Sequence, residues 1–176
     1  GTTAIPAVRE QLGVMAAQAG MIDAMLAGME AAGAMKDEWY VPHRQYMYSA
    51  QVVSQDLYPD LVRRIRELAG GSLIMLPSSI DDFADPELRR IIGRTQRSPS
   101  MDPEHRVKFL KLAWDAIGSE FGSRHTQYEM FYAGARFTTA AHSYRTFDWA
   151  AAGGMIDDLT STYELDEMLA ADRKHG

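Results

Sequence analysis

The sequence predicts an all-α fold, an antiparallel four-helix bundle, and three observations carry that prediction. Apolar residues recur at spacings of three and four over several long segments, the period of one helix face. Pro and Gly stand where those segments begin and end. No segment alternates polar and apolar residues with the period of two that a half-buried strand requires. With 176 residues, 46% of them hydrophobic, the chain has the length of a single domain and can bury a sizeable core.

Val8, Leu12, Met15, Ala19, Ile22, Leu26 and Met29 form one stripe, so the first helix runs from Pro6, which suits a first turn, to about Ala32. "KDEWYVPHRQ" interrupts the pattern. A second helix carries Met47, Ala50, Val53, Leu57, Leu61, Ile65 and Leu68; Pro59 predicts a kink or break near Leu57, and Gly70 and Gly71 end it. The segment from Ser72 to Ser100 reads as a long ordered connection containing one short helix, Pro86 to Gly93, capped by Asp85. Asp102 and Pro103 start a third helix through Val107, Leu110, Trp114, Ile117, Phe121 and Tyr128 to about Tyr132, with Gly134 as its stop and "ARFTT" as a turn. Beyond it lie one or two shorter helices, broken near Asp148 or Gly153, and a polar tail.

Composition excludes several function classes. A net charge of −6 without a basic run disfavours nucleic acid and anionic membrane surfaces as partners. The absence of cysteine removes disulfides, thiolate nucleophiles and cysteine-held metals, and is consistent with a cytoplasmic protein. No apolar run reaches the roughly 20 residues of a membrane span, and the start has no secretory pattern. A chain that enters a long helix within a few residues of Gly1 reads as a fragment cut at a domain boundary.

None of the five histidines has a Glu three positions before it, so the di-metal pattern of helical bundles is missing and no metal ligand is assigned. "AGGS" lacks the Lys and spacing of a phosphate-binding loop. Met15, Met21, Met25 and Met29 on helix one read as core, or else as an oligomer interface. Gly118 and Gly122, four apart, permit close approach of another backbone or a flat ligand. Arg124, His125, Tyr128 and Tyr132 follow, and past Gly134 come Arg136, Thr138 and Thr139. Backbone N–H groups, hydroxyls and one Arg at such a turn suit a phosphate or pyrophosphate oxygen.

"RELAGGSLIMLPSS", "KFLKLAWDAIGSEFGSRHTQYEMFYAG" and "YRTFDW" closely resemble the C-terminal domain of the 4-hydroxyphenylacetate 3-hydroxylase family, from about Pro6 to Tyr163. These are oxygenase components of two-component aromatic hydroxylases. The resemblance implies the C-terminal four-helix bundle of an acyl-CoA-dehydrogenase-like chain that builds a homotetramer. It implies reduced FAD supplied by a separate flavin reductase, and hydroxylation of a phenolic substrate with O2. It places flavin contacts just past the Tyr-x-Gly, on Ala135, Arg136, Phe137, Thr138 and Thr139; no catalytic residue is carried over, because the family's lie in earlier domains. "YAGARFTTAAHSYRTFDW" is more similar to the branch acting on halogenated or nitro-substituted phenols. The alternative is a free-standing helical interaction module without chemistry.

Overall fold

The structure, a computed structural model, describes residues 2–163 and 165. Helices dominate it, arranged as an antiparallel four-helix bundle in which α2 is the central member. Helix α1 (Pro6–Ala31) is connected to α2 (Arg44–Ala69) by a small hairpin, β1 (Ala34–Lys36) and β2 (Trp39–Val41), paired Ala34↔Val41 to Lys36↔Trp39. This hairpin was not expected from the sequence. Three residues per strand are too few to establish a period of two, so its signal is the Asp37-Glu38 turn, with Asp37 at φ 55°. Gly33 is required beside it: a Cβ there would lie 2.7 Å from the Tyr40 ring.

Pro59 neither breaks nor ends α2, which is continuous to Ala69. The expected break is therefore corrected. Packing on both sides offsets the hydrogen bond that Pro59 cannot give to the Gln55 carbonyl. Asp60, one residue on, accepts from Arg63, Arg64 and, at 2.8 Å, from Gln18 of α1, tying the two helices side by side. Gly70 ends α2 at φ 53°, the left-handed conformation that glycine tolerates.

No residue of α1 is fully buried, because only one face, with Met15, Gln18 and Ile22, meets α2. Its length and composition would suffice to cross a membrane, with mean hydropathy 1.4 over 18 residues. The sequence expectation that no such run exists is corrected. Alanine, glycine and methionine fill the positions between the larger apolar residues, so counting the stripe underestimates the apolar character of the whole helix.

The connection contains 3₁₀ turns at Gly70–Leu73 and Ile80–Phe83 and a helix, α3 (Pro86–Thr95), whose first N–H groups are capped by Asp85. The best-formed part of the core lies between α2, this connection and α4 (Pro103–Ile117): Leu73, Leu110 and Ile117, packed by Val62, Ile65 and Ala113. Buried Gln96 donates to the Met75 carbonyl at 2.7 Å and pins the connection to the end of α3.

The predicted third helix is two helices. α4 ends at Ile117 and α5 (Glu120–Phe131) begins after Ser119, whose hydroxyl accepts from Gly122 N–H at 2.9 Å. The three-four rhythm runs through this break without marking one buried face, since Phe121 is 77% exposed. Gly118 and Gly122 thus do not share a helix. Gly118 is the C-cap of α4, and Gly122 seats α5 against the end of α4, where a Cβ would lie 2.6 Å from the Asp115 carbonyl oxygen. "ARFTT" is also not a turn: it is the first turn of α6 (Arg136–Thr146), followed after Asp148 by α7 (Trp149–Thr160), which passes through Gly153 unbroken. Most of the polar tail lies outside the described residues.

Candidate functional site

The candidate site is the corner where α5 ends and α6 begins. Gly134, at φ 108°, turns the chain, and its N–H donates to the Phe131 carbonyl at 2.9 Å. Ala135 is the N-cap of α6 and has no capping side chain; its carbonyl accepts from Thr138 and Thr139 N–H groups. Arg136 and Phe137 occupy the first two helical positions, where N–H groups have no acceptor one turn back and the helix dipole is positive. No acidic residue lies in this turn.

The five predicted contact residues are contiguous here, but their side chains do different things. The Arg136 guanidinium is half exposed and bonds bidentately to Asp56 of α2, at 3.1 and 2.7 Å. Phe137 is 79% exposed and presents a flat ring to solvent, while Thr138 is half-buried. Thr139 is 0% exposed and faces inward, donating to Gln55 Oε1 at 2.7 Å, with the Arg136 carbonyl a second acceptor at 3.0 Å. The buried hydroxyl of Thr139 supports the turn from beneath.

Gln55 completes that support. Its Nε2 donates to the Met130 carbonyl at 2.7 Å and the Gly134 carbonyl at 2.8 Å. Neither Gln55 nor Asp56 stood out in the sequence. The available signal was an amide set among the apolar residues of α2 between Val53 and Leu57, which needs a partner wherever it is half-buried.

Of the other singled-out residues, Tyr128 and Tyr132 line up on the outer face of the corner with ring centroids 5.8 Å apart. Arg124 pairs with Glu120 and His125 lies 3.6 Å from Glu129, both along α5. "YRTFDW" builds the next corner: Trp149 Nε1 donates to the Tyr144 carbonyl at 2.8 Å, its ring packs on Phe147 and Tyr144, and Asp148 caps α7. The larger recesses have other linings. One of about 500 Å³ lies between the Pro77–Phe83 stretch and α4 and holds Arg89, Lys108 and Lys111.

Residues 1–161 match the family described as 4-hydroxyphenylacetate 3-hydroxylase C terminal. The chain belongs to this family. Among its relatives, a Pseudomonas aeruginosa 4-hydroxyphenylacetate 3-monooxygenase oxygenase component is 38% identical over 56% of this chain and 20% of its own length. A Rhodococcus 4-nitrophenol 2-monooxygenase oxygenase component is 36% identical over 62% of this chain and 22% of its own. The crystal structure of the oxygenase component of 4-hydroxyphenylacetate 3-monooxygenase, complexed with FAD and 4-hydroxyphenylacetate, superposes with a TM-score of 0.85. It is 23% identical, over 92% of this chain and 34% of that one. The chain thus spans about a fifth to a third of the length of these members of the 4-hydroxyphenylacetate 3-hydroxylase family.

The donor set at the corner suits the pyrophosphate of a dinucleotide. Two backbone N–H groups without a partner among the described residues, at the start of an 11-residue helix, a guanidinium beside them and no acid in the first turn are the kind of donors an anion needs. Phe137 adds an aromatic face for a planar ring. The Asp56 carboxylate opposes an anion directly, yet it also holds the Arg136 head group at the corner.

Proposed function

We propose that this chain is the C-terminal bundle of a longer oxygenase component that hydroxylates a phenol, using O2 and reduced FAD delivered by a separate flavin reductase. The observation that carries the reading is the start of α6, uncapped and with no acid in its own first turn, at the position just past Tyr-x-Gly. Arg136 and Phe137 hold the flavin's phosphates through their backbone N–H groups and the Arg136 guanidinium, with Ala135 and Thr138 lining the same turn, while Thr139 braces it. Bound reduced FAD supplies the electrons that activate O2 for insertion of one oxygen atom into the ring. Both substrates named for the relatives above are phenols with a para substituent, so the substrate class is a para-substituted phenol, including nitro- and halogen-bearing ones.

The bundle also serves assembly, as one subunit's share of a cytoplasmic homotetramer. Exposed apolar residues on α1 away from α2, Val14 and Met21 at 37% and 46% exposure, support this.

The test is to give the full-length oxygenase reduced FAD, O2 and a panel of phenols including 4-hydroxyphenylacetate and 4-nitrophenol. A hydroxylated or denitrated product is expected from the full chain and none from the 176-residue bundle alone. No product from any phenol with flavin bound overturns the substrate class. Failure of the full chain to bind reduced FAD favours the non-catalytic module.

A further inference from the structure

We infer that Gln55, in the middle of α2, is a positioning residue for the flavin turn, a role that rests on the reading of residues 135–139 as the flavin-phosphate site. Its carboxamide makes three bonds to three points around the corner. Nε2 donates to Met130 at the end of α5 and to Gly134 in the turn; Oε1 accepts from Thr139 on α6.

The chemistry of the corner specifies an amide. Met130 belongs to the last turn of α5, whose carbonyls have no helical partner, and Gly134 lies where the chain has left the helix. Two carbonyls require two N–H donors from one nitrogen, and the Thr139 hydroxyl, which also has the Arg136 carbonyl at 3.0 Å, finds its shorter acceptor in the amide oxygen. A glutamate would set a carboxylate oxygen against two carbonyls. An asparagine is one methylene too short. A methionine fills the same space and satisfies none of the three.

This arrangement determines where the first turn of α6 sits. Ala135, Arg136 and Phe137 have no bond of their own to α2 except the exposed pair between Arg136 and Asp56. The bonds that flank them, at Gly134 and Thr139, both end on Gln55. Because α2 is a continuous 26-residue helix packed on two sides, Gln55 transmits the position of the bundle's central member to the N–H groups that face the phosphate. Catalysis and binding both depend steeply on such placement.

The test uses the full-length oxygenase and three variants: Gln55→Met, Arg136→Ala and Gly122→Ala. Gly122→Ala serves as a control that loosens the bundle away from the corner. Reduced-FAD affinity, melting temperature and hydrogen exchange of individual amides are measured for each. Gln55→Met is expected to weaken FAD binding by about tenfold or more. It is also expected to speed exchange at residues 132–139 while leaving the amides of α4 unchanged. FAD affinity no lower than in Gly122→Ala at matched melting temperature, with Arg136→Ala impaired, overturns the role of Gln55 and leaves the flavin site standing. Unchanged affinity in both Gln55→Met and Arg136→Ala overturns the flavin site itself, and the role of Gln55 with it. If Gln55→Met does not fold, Thr139→Val takes its place. It removes one of the three bonds, and a loss of flavin affinity of about threefold or more is expected, with unchanged affinity again overturning the proposal.

Discussion

The Thr139 hydroxyl donates to the Gln55 amide oxygen at 2.7 Å, joining the first turn of α6 to the centre of α2 across 84 residues of sequence. Thr139 is fully enclosed, so replacing it by the isosteric valine leaves the half-buried Gln55 amide oxygen without its partner. Thr139→Val should cost about 1 to 3 kcal/mol of stability. Chemical denaturation measures it; a change near zero would mean that the Gln55 amide oxygen finds another donor.

Arg136 and Asp56 are 48% and 62% exposed, so their bidentate pair contributes little to folding. Arg136→Ala should therefore leave the melting temperature nearly unchanged, yet weaken reduced-FAD binding in the full enzyme by about 1 to 3 kcal/mol. Asp56→Asn removes the opposing carboxylate and should not weaken it. Flavin titration of both variants checks the contrast.

Two glycines should respond oppositely to the same substitution. At Gly122 an added Cβ meets the Asp115 and Ala116 carbonyl oxygens at 2.6 and 2.7 Å, backbone atoms that cannot step aside. Gly122→Ala should cost about 1 to 3 kcal/mol. At Gly153, inside α7, nothing lies within 4 Å, and alanine should stabilise by about 0.5 to 1 kcal/mol through its helix propensity. Thermal melts of the two variants give the contrast directly.

Asp60 is held well below the usual carboxylate range by hydrogen bonds from Arg64, then Arg63, then Gln18. A depressed carboxylate contributes stability that is present above its unfolded-state pKa and is lost as the pH falls through the folded one. The stability gap between the native protein and Asp60→Asn should be full at pH 6 and narrow progressively below about pH 4. Urea titrations across that range check it; a gap that widens in acid contradicts the assignment.

Val14 and Met21, seven residues apart on α1, are 37% and 46% exposed and lie off the Met15, Gln18 and Ile22 face that meets α2. If that side is a subunit contact, the double change Val14→Glu, Met21→Glu should shift the full-length protein from the proposed tetramer toward smaller species in sedimentation velocity. Its helix content should remain, because charge is tolerated on a solvated face and costly in a buried apolar one. An unchanged tetramer places the contact elsewhere.

Helix positions were legible where a local signal suffices. Pro6, Asp85, Asp102 with Pro103, and Gly70 act on their own neighbours, and α1, α3, the start of α4 and the end of α2 stand where those residues put them. The bundle fold followed from the three-four apolar period, and the family from motifs contiguous in the chain. Local signals also misled. Pro59 reads as a breaker because its missing N–H is a local fact, whereas the packing that keeps α2 whole involves α1 and α6. Gly118-Ser119 carried a stop and a cap, but the apolar rhythm ran across them, and only the structure shows that Phe121 has no core to enter. The candidate site divides in the same way. That residues 135–139 lie together is a matter of chain order, and the sequence by itself determined it. That they form a helix start, that Thr139 turns inward, and that Gln55 and Asp56 stand beneath them was decided by tertiary structure alone. A hydrogen bond depends on distance in space, and a linear pattern does not encode which residues 80 positions apart come within 3 Å.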